Sequence, residues 1–309
     1  MTVSLFTYMQ STQRFLREHK QEFVNPADLV SNINDARRVI ALETQCIRVL
    51  TPVSGPVVQA KLIAGGSGYT NPSVTITPPD YPSGVAPNPS GQQATAQANL
   101  QGNVISDIVI LNGGDGYFQP QGQITDPTGT GASFTLTVQP FNQVNQGQEV
   151  YNFSDIDLSR NTGCRAVFAV RSISLIYANY RYSLPVYPFS VYQAAIRQFP
   201  FAYQYVPTFA SQFGQGVSGS LYFYPLPSQV YQCEFDCQCL PEDLSDNQSY
   251  EAIPEPWTEL VKYYAASLAM IQLQNYNASK FFEGLYNAAK VSYSNSARIG
   301  RAVNPYGRY

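Results

Sequence analysis

Apolar residues recur at helical spacing near both ends of the chain and alternate, as in strands, along much of its middle. In NPADLVSNINDARRVIALET, Leu29, Ile33, Ala36 and Ile40 form one stripe. Asn25 stands where a side chain can cap the first turn, and Pro26 falls at the first helical position, where a missing N–H leaves nothing unpaired. Residues 5–19 carry a less regular helical pattern, so the N-terminal part reads as a helical hairpin. The longest helical signal is WTELVKYYAASLAMIQLQ, with Trp257, Leu260, Tyr264, Leu268 and Ile271 in register. After a break near Asn275 to Asn277, Phe281, Leu285 and Ala289 define one face of a second helix.

The character changes at Pro56. From there to Gln148 the only charged residues are Lys61, Asp80, Asp107, Asp115 and Asp126, glycine and proline are dense, and apolar residues alternate, as in SFTLTV. The stretch is all-β by pattern and contains a repeat: VVQAKLIAGGSGY (57–69) aligns with VISDIVILNGGDGY (104–117), each copy ending in GGxGY. Two copies are too few for a solenoid, but each can bury the other's apolar face in a small sandwich-like domain. The glycines precede strands rather than helices, which excludes a dinucleotide cradle and predicts tight turns at positive φ. Beyond residue 149, RAVFAVRSISLIYANYRYSL alternates again, and LYFYPLPSQVYQCEFDCQCLPEDL reads as a strand, a PLPSQ turn and a second strand. The predicted fold class is α+β: a helical bundle from the N- and C-terminal helices with a β-hairpin region (1–55 and 149–309), and an inserted all-β domain (56–148).

Composition narrows the function. Hydrophobic residues make up 44% and charged residues only 13%, about half the usual charged fraction, which suits a subunit whose polar but uncharged surface is covered by neighbours. A net charge of −3 supplies no field for gripping phosphates. Between Tyr177 and Tyr224 fifteen aromatics accompany only Arg181 and Arg197, which suits packing better than a single-strand groove. No apolar run reaches the length of a membrane span, and MTVSLFTYMQ lacks the layout of a secretory signal, so synthesis in the cytoplasm is expected. Cys46, Cys164, Cys233, Cys237 and Cys239 read as small buried hydrophobes, because neighbours along one strand cannot bridge and the single histidine, His19, is remote from them. One histidine and no GxSxG, HExxH or GK(S/T) element leave no catalytic constellation, metal site or cofactor site to assign.

Four segments together, NPADLVSNINDARRVIALET, RSISLIYANYRYSLPV, LYFYPLPSQVYQCEFDCQCLPEDL and IPEPWTELVKYYAASLAMI, resemble the head-to-tail adaptors of short-tailed bacteriophages, the tail tubular protein A or gatekeeper type. The resemblance covers roughly 1–55 and 165–300, and the GGxGY insertion departs from the simplest members. It implies a non-enzymatic virion protein: a homo-oligomeric ring, dodecameric in the family, between the portal protein and the tail nozzle. Duplex DNA would pass through non-specifically during ejection, without cofactor or membrane. The alternative is a tail-fibre-type adhesin holding host glycan with the repeat module, against which the bracketing helices argue. The last 26 residues carry four basic residues (Lys290, Arg298, Arg301 and Arg308) and no acidic side chain. Arg298, Ile299, Arg301, Val303, Tyr306, Arg308 and Tyr309 are accordingly the expected portal contacts, a basic arm with apolar groups to fill pockets on a partner.

Overall fold

The structure is a computed structural model that describes residues 3–16, 25–80, 91–139, 141–158, 163–177, 180–198, 204–247 and 249–297. His19 and the seven expected portal contacts lie outside the described residues.

Among the described residues the helices are α1 (Leu5–Leu16), α2 (Pro26–Thr44), α3 (Phe189–Gln198), α4 (Thr258–Gln272) and α5 (Tyr276–Ala297). At the start of α2 the Asn25 side chain accepts the Ala27 N–H at 3.1 Å, with Pro26 in the first turn. Its end is closed by Gln45 at φ 52°, whose N–H returns to the Ala41 carbonyl. Leu29, Ile33, Ala36 and Ile40 are all buried, as the stripe predicts. Helix α4 packs against α1, α2 and α5. The expected face of α5 is displaced by one residue: Phe281 is 63% exposed, and Ser279, Phe282 and Tyr286 point inward. The partners decide this, since Ser279 bonds Ser267 of α4 and the Phe282 ring meets Phe15 of α1. On α4 the inward face is Leu260, Val261, Ala265, Ala266 and Ala269, and Ile271 is exposed. Small residues face the neighbouring helices there because they admit a close approach of the backbones.

Among the described residues the strands are numbered β1 to β17 in chain order. The largest sheet has the order β1 (Arg48–Leu50), β17 (Tyr231–Pro241), β10 (Cys164–Tyr177), β11 (Tyr180–Leu184), with β8 (Gln143–Val144) also paired to β17. A second sheet has the order β12 (Val186–Pro188), β14 (Phe209–Phe213), β15 (Ser220–Tyr224), β9 (Val150–Asn152), and β13 (Gln204–Tyr205) pairs in parallel with β16 (Leu226–Pro227). The hairpin expected across PLPSQ is therefore not formed. Strand β15 pairs with β14 and β9, whereas β17 pairs with β10, β1 and β8. Pro225 and Pro227 have no N–H to continue a ladder. Nine of the eleven residues of β17 are buried, so it needs neighbours on both edges rather than one.

One hydrophobic cluster joins Leu29, Ile33 and Ile40 of α2, Leu260 and Ala265 of α4, and Ile173 and Leu175 of β10 with Ala210, Leu221 and Phe223 of the second sheet. On β17 the odd-numbered side chains Cys233, Phe235, Cys237 and Cys239 face this cluster. Gln232, Glu234 and Asp236 on the other face are polar and must be satisfied: Gln232 donates to the Val53 carbonyl at 2.7 Å, Glu234 pairs with Arg181 at 2.9 Å, and Asp236 pairs with Arg48.

The stretch between β1 and β8 holds β2 (Val57–Ser67), β3 (Ser73–Ile76), β4 (Thr95–Gln101), β5 (Val104–Asn112), β6 (Gly122–Thr125) and β7 (Thr130–Val138). They form three antiparallel ladders, β2 with β7, β3 with β6 and β4 with β5, each joining one copy of the repeat to the other. The exchange is reciprocal in detail. The Tyr69 hydroxyl accepts the Ala132 N–H at 3.1 Å, and that of Tyr117 accepts the Ala94 N–H at 2.7 Å. Asp126 accepts from the backbones of Thr70 and Asn71, and Asp80 from those of Phe118 and Gln119. Gly66 and Gly114 both adopt φ 62°, and a Cβ on either would strike the backbone of the other copy. The apolar clusters of this stretch contain only its own residues. Gln143 and Val144, assigned from the sequence to the same stretch, instead meet β17, with Val144 buried in the main cluster.

Two substitutions probe this packing. Arg37 on α2 is fully buried and forms a two-pronged ion pair with Glu251, both contacts at 2.9 Å. Arg37→Met leaves Glu251 buried without its partner and should cost about 3–5 kcal/mol in denaturant unfolding, whereas the double variant with Glu251→Leu should recover part of that loss. In the insertion, Gly114→Ala should cost several-fold more than Gly102→Ala. Both glycines have positive φ, but only Gly114 lacks space, and Gly102 should lose only about 1 kcal/mol.

Candidate assembly surfaces

The loop after β17 is fastened to α2 through charge. The Arg37 guanidinium also donates to Asn34 Oδ1 at 3.1 Å and the Glu242 carbonyl at 2.7 Å, while Asn34 exchanges two hydrogen bonds with the Leu244 backbone. Beside it Arg38 holds Asp243 with two contacts of 2.8 Å. The sequence carries a signal for this cluster, because Arg37 sits four residues after Ile33 on the inward face of α2, a position that a solvated arginine would avoid.

At the other end of α2, Glu43 accepts the Tyr286 hydroxyl at 2.5 Å and Lys290 Nζ at 2.9 Å, which ties α5 down. Partial burial pushes the Glu43 carboxyl up, but these two hydrogen bonds outweigh it and hold the group below its ordinary 4.5. The pair borders a cleft of about 680 Å³, lined also by Thr44, Arg171, Trp257 and Ser294. Its lining mixes charges of both signs with polar groups and the apolar side chains of Trp257 and Val291.

Three sets of exposed apolar side chains are grouped in the fold. Ile271, Leu273, Tyr276 and Phe281 surround the α4–α5 turn. Tyr180, Tyr182, Tyr187, Tyr205, Phe213 and Val217 stand on β11 and around the second sheet. Phe189 and Tyr192 of α3 pack ring against ring with Tyr222 of that sheet, as do its Phe209 and Tyr224 with each other, so the aromatic-rich stretch serves packing inside the subunit. The third set lies on the insertion. The ladders skip Ile63 between Leu62 and Ala64, and Leu111 between Ile110 and Asn112. Each is turned outward at a bulge, 65% and 63% exposed, and the two occupy equivalent positions in the repeat. The repeat alignment contained that signal, since Ile63 and Leu111 both stand two residues before the first glycine of GGxGY.

Cys233, Cys237 and Cys239 are buried as expected, but Cys46 and Cys164 are half-exposed. Both line a cleft of about 420 Å³ with Arg48 and residues 250–254, Cys46 in the link between α2 and β1 and Cys164 at the start of β10. Among the described residues no group of three or more His, Cys, Asp or Glu is arranged to hold a metal ion, and no helix is long and apolar enough to cross a membrane.

The Glu43 contacts predict a pH dependence. A carboxyl whose folded pKa is depressed stabilises the fold above its unfolded value, and that contribution fades as pH falls through the folded value. Glu43→Gln should therefore unfold a few degrees lower than the parent at pH 7. The two thermal midpoints should converge below pH 4.5, measured by circular dichroism.

No curated protein matches the chain. A protein-family model, described as SU10 adaptor protein, matches residues 128–306. The match begins just before β7 and takes in β10, the second sheet, β17, α4 and α5, which is more than half of the 309 residues; α1, α2 and most of the GGxGY insertion lie outside it. The chain thus belongs to the SU10 adaptor protein family, and is a phage adaptor, a structural protein.

Proposed function

We propose that the chain is a head-to-tail adaptor of the gatekeeper type, whose copies close into a ring between the portal and the tail and surround the passage for DNA. The observation that carries this reading is the family match across β10, β17 and the α4–α5 pair, the parts that also carry the resemblance in sequence. Its mechanism is geometric. Contacts between two different faces of successive copies generate a closed ring when the rotation closes, and the hole is the functional feature. The exposed apolar sets at the α4–α5 turn and around β11 supply such faces, with little charge to repel a like copy. Twelve copies are the expected number from the resemblance.

Within the ring, the stretch from β2 to β7 is an inserted module facing the next tail component, with the separateness of its apolar clusters as support. The basic residues from Arg298 to Arg308 form an arm toward the portal, and the net charge of −3 lets duplex DNA slide without being gripped. The protein is made in the host cytoplasm and resides at the head–tail junction of the virion.

The test is the mass and shape of the purified full-length protein. Native mass measurement should give a single large multiple of the 34.2 kDa subunit, and negative-stain images should show rings with a central hole. A stable monomer at micromolar concentration, with or without portal-bearing heads, or a trimeric rod, would overturn the reading.

A further inference from the structure

We propose that Cys164 and Cys239 are a modification site: an intrachain disulfide that closes when the protein meets a small-molecule disulfide of the glutathione class. Strand β10 begins at Cys164, which lies opposite Pro241 of β17, so Cys239 is its diagonal neighbour on the same face of the antiparallel pair. A bulge between Cys164 and Ala166 breaks the regular spacing at this point. The backbone is fixed there: the Glu242 N–H donates to the Gly163 carbonyl at 2.7 Å, and Gly163, at φ 81°, lies against Tyr250 without room for a side chain. The Cys239 thiol is buried in the main cluster and Cys164 packs against that cluster from its edge.

The two thiols are unlike in access and in acidity. Cys164 is half-exposed and opens on the cleft of about 420 Å³ beside residues 250–254, whereas Cys239 is 1% exposed. Interaction with the Cys239 thiol lowers the Cys164 thiol below its ordinary 9.0, while the same interaction and burial raise Cys239. Cys164 is thus the attacking sulfur and Cys239 the resolving one. Cys46 lines the same cleft, where burial pushes its thiol up to about 11. Its neighbour Ile47 accepts the Cys239 N–H from the opposite edge of β17, away from Cys164.

The exchange balances in two steps. The Cys164 thiolate attacks one sulfur of the small disulfide, the small S–S bond breaks, and one small thiolate leaves. Cys239 then loses its proton to solvent and attacks the Cys164 sulfur, expelling the second small thiolate. The protein gives up two hydrogens and is oxidised; the small disulfide is reduced to two thiols. The bond would join the start of β10 to the end of β17 and close a loop of roughly 75 residues, which restricts the unfolded chain. The adaptor reading enters only through timing, since a virion leaves a reducing cytoplasm for an oxidising medium.

The experiment uses the isolated full chain, so its outcome does not depend on ring formation. Reduced protein is incubated under native conditions with oxidised glutathione, the remaining thiols are alkylated, and peptides are mapped by mass spectrometry without reduction. A Cys164–Cys239 linked peptide is expected in the parent and in Cys46→Ser, with a higher thermal midpoint than the reduced form. Cys164→Ser should fold, form no such link and show no such rise. Free thiols at both positions, a glutathione adduct that persists on Cys164, or a Cys46–Cys164 link would each overturn the proposal. A ring that fails to form would leave the linkage result untouched.

Discussion

A strand with one polar and one apolar face, buried on both, has to find two different kinds of cover, and β17 imposes that demand on the rest of this chain. Its thiols and Phe235 need an apolar layer, which α2, α4 and the second sheet jointly supply. Its glutamines and acids need hydrogen-bond partners or counter-charges, because a buried unpaired carboxylate costs far more than a lost contact. Arg48 of β1, Arg181 of β11 and the Val53 carbonyl meet that need from three separate places in the sequence. Glu234 remains under tension: burial raises its pKa, Arg181 lowers it and Asp236 raises it again. The Arg37–Glu251 pair adds the last tie, fastening the loop that leaves β17 to the helix that lies against it.

The inserted strands obey another constraint. Neither copy of the repeat can close alone, because each ladder takes one strand from each copy. The glycines follow from this: Gly65 and Gly113 let the two copies approach backbone to backbone, and Gly66 and Gly114 turn the chain where a side chain would collide. The same spacing that permits the approach throws Ile63 and Leu111 outward at matched bulges. A module organised in this way presents two equivalent apolar points on an almost uncharged surface, in keeping with a structural role in an assembly.

The N- and C-terminal helices were legible because local signals agreed with tertiary packing, as where Asn25 and Pro26 open α2 and its stripe is buried, whereas α3 in the aromatic-rich stretch was not foreseen. The GGxGY turns were legible for the same reason, as positive φ is a local demand that only glycine meets cheaply. What misled was everything decided by partners distant in sequence. LYFY and VYQCEFDCQC are adjacent strands with a turn between them, and only the proline-interrupted turn and the burial of β17 on both faces send them to different sheets. The inward face of α5 depended on where Phe15 and Ser267 stood, which no periodicity within α5 contains. Of the assembly surfaces, the expected portal contacts lie outside the described residues, and the matched bulges emerge only when the repeat alignment is read together with the ladder register.

The central claim, that β17 and its neighbour β10 are the axis on which the fold depends, is tested most directly by native-state hydrogen exchange across a denaturant series. Backbone amides of β10 and β17 should exchange only through global unfolding, with protection that falls as steeply as the stability of the whole chain. Those of β3 and β6 should open at lower free energy, since their ladder is short and holds mostly half-buried or exposed residues. Exchange of the β17 amides as fast as those of β3 and β6, or with a shallower slope than global unfolding, would contradict the account.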